Sequence, residues 1–346
     1  MNLTGSDYFI LFGGTFILVS FLTAVMRRVA ISLGVVDRPS EAHKTHQNPV
    51  PYLGGVAIVL GVTIISVASS IVSDFSRATI WLALSVLLPA ILLGVVGLID
   101  DIKRLSPWPR FIVQSSVALI SAGILIATET LGSPTGSVFI DVAVTVLWIV
   151  GLTNAINFFD NVDGGASGTV AISSFILFLL AIQGGQILIA ALAIVLSGAT
   201  LGFLVWNRPP ARIYMGDAGA LFLGVLIASL TIRLEPSPIN DFAAFSVPVL
   251  LMAIPILDTS VAVTKRVLRG VSPFQGGRDH LSHRLMRMGF NKRKAVLLLW
   301  AFTLFFGGIS LLISEASYSF EGLVAVIGAL TWIAGFIFFA KQRDSD

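Results

Sequence analysis

Cysteine is absent from this chain of 346 residues, and charged residues supply only 12% of it. With no cysteine there is neither a disulfide framework nor a thiolate zinc site. A soluble globular chain carries roughly 25% charged residues. About half that share leaves too little polar material to cover a water-facing surface, which argues against a soluble enzyme and against a disordered chain. The net charge is only +3, so no nucleic-acid partner is expected. Internal repeats, low-complexity tracts and an inter-domain linker are also missing, so residues 1–346 read as one domain.

Hydrophobic residues are what is abundant, at 55%. A bilayer core of about 30 Å takes roughly 20 apolar residues of helix. Runs of that kind recur near 7–27, 53–73, 79–99, 111–129, 138–157, 168–184, 186–205, 218–234, 243–264, 295–314 and 320–340. The expected fold class is therefore all-α, a polytopic membrane bundle of about eleven transmembrane helices. The first run is no cleaved signal peptide, because no basic residue precedes Arg27.

Lys and Arg collect in cytoplasmic loops. With the N-terminus outside and the C-terminus cytoplasmic, the loops at 27–52, 100–110, 158–167, 206–217 and 265–294, plus the tail, hold 20 of the 22 basic residues. Only Arg77 and Arg233 fall on the far side.

The same inner loops carry the candidate chemistry. Asp100 and Asp101 end the third run. Adjacent carboxylates repel, and a helix C-terminus disfavours them further, so a divalent cation would relieve both costs. Asn154, Asn157, Asp160, Asn161 and Asp163 crowd the end of the fifth run, before Gly164 and Gly165. If that stretch is still helical, Asn154, Asn157 and Asp160 or Asn161 share a face. Asp217 opens the eighth run three residues after Tyr214. It suits a helix cap, and equally a magnesium site, since Mg²⁺ is usually held by one or two carboxylates plus substrate phosphates. Tyr214 offers a ring on which a base stacks. All four histidines, His43, His46, His280 and His283, lie in two basic inner loops. Histidines beside Lys44 and Arg284 suit phosphate binding. Zinc lacks support, with no cysteine and no H-E-x-x-H pattern.

In order and spacing these blocks resemble the polyprenyl-phosphate N-acetylhexosamine-1-phosphate transferases. Five carry the resemblance: H-x-x-x-x-P-x-x-G-G from His46 to Gly55, G-x-x-D-D from Gly97 to Asp101, N-x-x-N-x-x-D-x-x-D-G from Asn154 to Gly164, aromatic-x-G-D from Tyr214 to Asp217, and D-H-x-x-H-R-L from Asp279 to Leu285. The resemblance implies a Mg²⁺-dependent enzyme (with Mn²⁺ as a substitute ion) in the cytoplasmic membrane of a prokaryote, its active site facing the cytoplasm. It would take a UDP-sugar and undecaprenyl or decaprenyl phosphate, release UMP, and begin a cell-envelope glycan; a homodimer is compatible with it. By position, Asp217 and Asn157 are implied as metal ligands. Asp100, Asp101, Asp160, His280 and His283 are implied in catalysis, and Lys44, His46, Arg110, Asn154, Asp163, Gly164, Tyr214 and Arg284 in substrate binding. Ser282 stands where many relatives have another histidine, and Asn161 and Gly165 depart from the commoner D-G-x-D-G-L run. The missing three-histidine run favours UDP-N-acetylglucosamine over UDP-N-acetylmuramoyl-pentapeptide as donor.

An ion-coupled transporter is the rival from another class. It would place its polar groups near the midplane, and Asp141 and Asp258 do lie inside apolar runs. The grouping of the other acids at one face argues for the enzyme.

Overall fold

The computed structural model describes residues 3–37, 49–73, 75–103, 105–128, 135–237, 240–273, 277–316 and 318–342. The chain is helical almost throughout: α1 (Gly5–Ser32), α2 (Gly54–Val72), α3 (Arg77–Lys103), α4 (Pro107–Ala127), α5 (Val138–Phe159), α6 (Gly165–Gln183), α7 (Ile187–Asn207), α8 (Gly216–Ile232), α9 (Asp241–Leu251), α10 (Ala253–Leu268), α11 (Leu281–Arg287), α12 (Lys292–Glu315) and α13 (Tyr318–Lys341). Two short strands, β1 (Val36–Asp37) and β2 (Val50–Pro51), pair antiparallel at the base of the first long loop. Lys44 and His46 lie in that loop, outside the described residues.

Among the described residues nine helices are long and apolar enough to cross a membrane, or ten if the bent α9–α10 pair counts as one span. The chain is therefore a multi-pass membrane protein. Its periphery agrees: Phe9, Ile17 and Phe21 on α1 and Leu147 on α5 are all exposed, which a hydrocarbon solvent permits and water does not.

The run expected near 243–264 as one span is in fact two helices meeting at 77°. Pro255 is the physical reason. It has no N–H, so a continuous helix would leave the Leu251 carbonyl without its intrahelical donor. Ser173 Oγ of α6 donates to that carbonyl instead, at 3.0 Å, and Trp332 Nε1 of α13 donates to the Ala253 carbonyl at 3.0 Å. Packing thus satisfies the break, as membrane depth demands.

Helix α8 is the axis. It is apolar all round, and every residue from Ala218 to Thr231 is buried, as expected of a helix surrounded by others. Helices α3 and α2 reach it through glycines. A Cβ on Gly97 would collide with the Asp217 carbonyl, and one on Gly55 with the backbone of Gly219. Small residues let backbones approach this closely, and here they bring the ends of α2 and α3 onto the start of α8.

Helix ends alternate strictly. One end of the molecule gathers the carboxy ends of α1, α3, α5, α7, α10 and α13 with the amino ends of α2, α4, α6, α8 and α12, tied by contacts such as Arg27 to the Arg212 carbonyl, Asp101 to the Asp217 amide, Asn157 to Asp217, Asp163 to Lys292 and Arg284 to the Phe339 carbonyl. At the other end Ser85 meets Arg233, Gln183 meets Glu315 and the Asn240 amide meets Glu321. Asp141 sits at that second end, in the first turn of α5, where it accepts from the Thr135 amide at 2.7 Å and the helix dipole favours a carboxylate.

Candidate active site

The site grows from the α3–α8 junction. Both carboxylate oxygens of Asp101 accept from the start of α8, from the Asp217 amide at 2.9 Å and the Ala218 amide at 3.1 Å. The charge that the carboxy end of α3 disfavours thus rests on the amino end of another helix, which favours it. Only glycine fits between them: Gly216 has φ 68°, and a Cβ there would stand 2.5 Å from Asp101 Oδ2.

Asp217, so fixed, points the other way. Its Oδ1 accepts from Asn157 Nδ2 at 2.7 Å and its Oδ2 from an Arg110 terminal nitrogen at 2.7 Å. The same nitrogen donates to Asp100 Oδ2 at 2.8 Å, while Asp100 Oδ1 accepts from the Leu105 amide at 2.7 Å. Four helix ends therefore converge on one guanidinium serving two carboxylates. Asp160 lies beyond, just past the end of α5; its amide donates to the Ile156 carbonyl, but its carboxylate accepts no hydrogen bond from another described residue. Burial, then the charges of Asp217, Asp163 and Asp101, push its carboxyl well above the usual 3.8.

Among the described residues no three His, Asp or Glu side chains form a closed metal cage. The donor set nevertheless fits a hard divalent cation. It offers the Asp217 carboxylate, the Asn157 amide and, in Asp160, a nearby carboxylate lacking compensation. Magnesium takes such an open set and completes its octahedron with phosphate oxygens and water.

Tyr214, Asp163 and Gly164 form the next wall. The Tyr214 backbone is clamped to the start of α2, donating to the Pro51 carbonyl at 2.8 Å and accepting from the Gly54 amide at 3.0 Å. Burial, followed by the charges of Asp163, Asp37 and Asp160, raises its phenol. Asp163 Oδ2 accepts from the Ala211 amide at 3.0 Å and from Lys292 Nζ at 3.2 Å. Gly164 turns with φ 74°, its amide donating to Asn207 Oδ1 at 3.0 Å and its carbonyl accepting from Trp300 Nε1 at 3.1 Å. Asn207 also donates to the Ile213 carbonyl at 3.0 Å, so one buried amide staples the glycine turn to the segment leading into Tyr214. Sequence reasoning passed over Asn207; its signal is an amide ending an apolar run just before Arg208, Pro209 and Pro210.

Asn154 does not meet Asp217 directly. Its amide donates to Gln114 Oε1 at 2.9 Å, and both line a cavity of about 390 Å³ with Trp108, Arg110, Phe111 and Pro273. This cavity joins Arg110 to apolar surface. Asn161 turns away from the acids: it accepts from Ser282 Oγ at 2.5 Å, so two departures noted in the family pattern touch one another.

The histidine loop is organised differently. Asp258, fully buried on α10, accepts from the Leu281 amide at 2.6 Å and pairs with His280 Nδ1 at 2.7 Å. His280 Nε2 faces an Arg266 nitrogen at 3.2 Å; arginine only donates, so Nε2 accepts and Nδ1 carries the hydrogen. Arg266 grips Asp279 with two 2.8 Å bonds and lies over the Phe158 ring, 5.5 Å from its centroid. Burial raises the Asp279 carboxyl, but the Arg266 hydrogen bond and charge outweigh it and the net shift is downward. Arg284, wholly buried, donates to the Asp279, Phe339 and Gln342 carbonyls, tying α11 to the end of α13. His283 is less enclosed, 6.2 Å from the His280 ring; burial, then the neighbouring His280, lowers its imidazole to about 4. Asp258, Arg266 and Asp279 were not assigned roles from the sequence. An acid inside an apolar run, with an arginine just past its end, is the visible signal.

Comparison with known proteins agrees with this architecture. Residues 83–235 match the family model Glycosyl transferase family 4. A probable undecaprenyl-phosphate N-acetylglucosaminyl 1-phosphate transferase of Bacillus subtilis is 33% identical over 304 residues, 86% of this chain and 83% of the relative. A decaprenyl-phosphate N-acetylglucosaminephosphotransferase of Mycobacterium tuberculosis is 32% identical over 352 residues, covering 92% and 86%. A phospho-N-acetylmuramoyl-pentapeptide-transferase of Staphylococcus saprophyticus is 29% identical over 318 residues, covering 86% and 95%. With the resembling blocks gathered at one end of a membrane bundle and relatives of this identity along most of its length, the chain belongs to the polyprenyl-phosphate N-acetylhexosamine-1-phosphate transferases of glycosyl transferase family 4, enzymes that transfer a sugar phosphate.

Proposed function

We propose that this enzyme transfers N-acetylglucosamine 1-phosphate from UDP-N-acetylglucosamine to undecaprenyl or decaprenyl phosphate and releases UMP. The reaction runs at the cytoplasmic face of a prokaryotic inner membrane, with eleven crossings and the N-terminus outside. The observation that carries this reading is the cluster of Asp100, Arg110, Asp217 and Asn157 beside the uncompensated Asp160. The names of the relatives from Bacillus subtilis and Mycobacterium tuberculosis support the choice of sugar and lipid.

Phosphoryl transfer needs positioning and charge neutralisation more than covalent protein chemistry. When bound, Mg²⁺ or Mn²⁺ supplies neutralisation of the donor diphosphate, held by Asp217 and Asn157 with Asp160 as a further carboxylate. Asp100 orients the lipid phosphate and holds its proton, if present, at Oδ2. Arg110, shared between two carboxylates in the resting site, shifts toward the equatorial oxygens as substrate enters. An oxygen of the lipid phosphate forms a bond to the phosphorus bearing the sugar, and the bond from that phosphorus to UMP breaks. Asp101 acts through Asp217 by anchoring the start of α8. Tyr214 stacks the uracil, and Asp163 and the Gly164 backbone border it. Lys44 and His46 meet the lipid phosphate from the first loop. His283 faces the sugar as a neutral ring, while His280 and Arg284 hold its loop in place. The lipid chain leaves through the cavity lined by Trp108, Phe111 and Asn154.

The test is a panel of radiolabelled UDP-sugars given to purified enzyme with polyprenyl phosphate. Product from UDP-N-acetylglucosamine well above all others is expected. Preferential use of UDP-N-acetylmuramoyl-pentapeptide would overturn the sugar assignment.

A further inference from the structure

A second cavity, unconnected with the acids, lies between α3 and α4. It encloses about 750 Å³ and is lined by Trp81, Leu88 and Leu92 of α3 and Ile120 and Ile124 of α4, with Ser85 and Thr128 as its polar members. Trp81, Leu88, Leu92 and Ile120 are all exposed, so the groove opens sideways. Such a surface suits a hydrocarbon chain.

Just outside this lining are the two basic residues that the loop count left on the wrong side: Arg77 precedes Ala78 of the groove wall, and Arg233 bonds to Ser85. Arg233 is 5% exposed. One terminal nitrogen donates to the Ser229 carbonyl at 3.1 Å and the other to Ser85 Oγ at 3.2 Å. Among the described residues its Nε has no partner, and no carboxylate pairs with it. Ser85 Oγ donates onward to the Leu82 carbonyl, so Ser85 is the wall through which the guanidinium charge meets the groove. Arg77 begins α3, is exposed and pairs with no described residue. It shares a helical stripe with Trp81 and Leu88, four and eleven residues on. Glu235, two residues past Arg233, is exposed and forms no ion pair with it; Asp74 and Glu129 lie outside the described residues.

A buried cation without a counter-ion is costly beside hydrocarbon, and an orphaned N–H adds to the cost. An anionic headgroup on the groove side of Ser85 relieves the first cost through space. We propose that the α3–α4 groove binds one anionic glycerophospholipid, its chain between Leu88 and Ile120 and its phosphate between Arg77 and Arg233. Position decides between this lipid and the polyprenyl phosphate substrate, which shares its chemistry. Ser85 is sixteen residues before Asp101, about 24 Å along the helix, so a phosphate at Arg233 belongs to the leaflet opposite the acids. The inference rests on the membrane fold alone and stands whatever sugar is transferred.

The test uses full-length protein reconstituted with phosphatidylglycerol, phosphatidylcholine and polyprenyl phosphate in equal amounts. Retained lipid is then counted by native mass spectrometry after release into detergent. One retained phosphatidylglycerol is expected, preferred about tenfold over phosphatidylcholine, in line with two cations near the surface. Arg233→Gln and Arg77→Gln each lower that preference several-fold. Leu88→Trp, which fills the groove at a lipid-facing position, removes the adduct while UMP release persists. Should Arg233→Gln fail to fold, the other two variants carry the test. Retention without headgroup preference, adducts unchanged in Arg77→Gln and Leu88→Trp, or polyprenyl phosphate as the lipid lost from Leu88→Trp would each overturn the proposal.

Discussion

Two polar clusters sit side by side at one end of this bundle and obey opposite rules. In the histidine cluster the buried charged side chains have several hydrogen-bond partners each: Asp258 meets His280 and an amide, Arg266 meets Asp279 twice, and Arg284 meets three carbonyls. In the acid cluster one guanidinium serves two carboxylates and the Asp160 carboxylate has no partner among the described residues. Burying charge is tolerable only when partners are complete. The matched cluster is therefore a clamp that shapes its loop, and the unmatched one is where charge is to be brought in.

The contrast is sharpest at its extremes. Asp217→Asn is expected to lower UMP release about a thousandfold, the upper range for removing one transition-state contact, while circular dichroism stays unchanged. A folded variant with near-normal turnover would dissolve the distinction from the acid side. Asp258→Ala tests the other side. It strands the His280 Nδ1–H and the Leu281 amide, and each unsatisfied buried donor costs about 1–3 kcal/mol, read as a fall in thermal unfolding temperature. A variant of unchanged stability that nonetheless lost activity would place the histidine loop in the chemistry.

Milder changes sharpen the comparison further. Tyr214→Ala should raise KM for the UDP-sugar about tenfold with kcat little changed, since stacking binds ground and transition states alike; an unchanged KM removes the ring from the pocket. Asp160 adds a pH signature. Its carboxyl is raised in the folded state, so its contribution to stability is full below the ordinary value and is lost as pH rises through the folded value. Chelated protein should thus lose thermal stability upward from about pH 4, Asp160→Asn should flatten that slope, and added Mg²⁺ should offset it. An identical slope in the variant would assign the effect elsewhere. The smallest effect concerns His283, whose imidazole is lowered to about 4. His283→Gln should leave the shape of the rate profile between pH 6 and 8 unaltered, and a lost inflection there would show that His283 titrates in that range.

Much of this architecture was legible in one dimension. The lengths of the apolar runs located the helices, because hydrocarbon thickness acts directly on sequence. The break at Met252 was not legible as a 77° bend, although Pro255 was in view, because what satisfies the freed carbonyl is Ser173 from another helix. The division of labour between Asp100 and Asp101 was hidden for a geometric reason. Neighbours on a helix project about 100° apart, so one reaches Arg110 and the other the start of α8. His280 and Arg284 read as phosphate ligands because the partners that occupy them, Asp258 and the end of α13, are distant in the chain.

The central claim is that the under-compensated acids hold a divalent cation for sugar-phosphate transfer. The most direct measurement is UMP release from UDP-N-acetylglucosamine and polyprenyl phosphate as Mg²⁺ is titrated into chelator-treated enzyme, alongside Asp217→Asn. The account predicts no release without added metal, saturable recovery for the parent enzyme, and none for the variant over the same range. Release that is indifferent to chelation, or recovery by Asp217→Asn at the same Mg²⁺ concentrations, would contradict it.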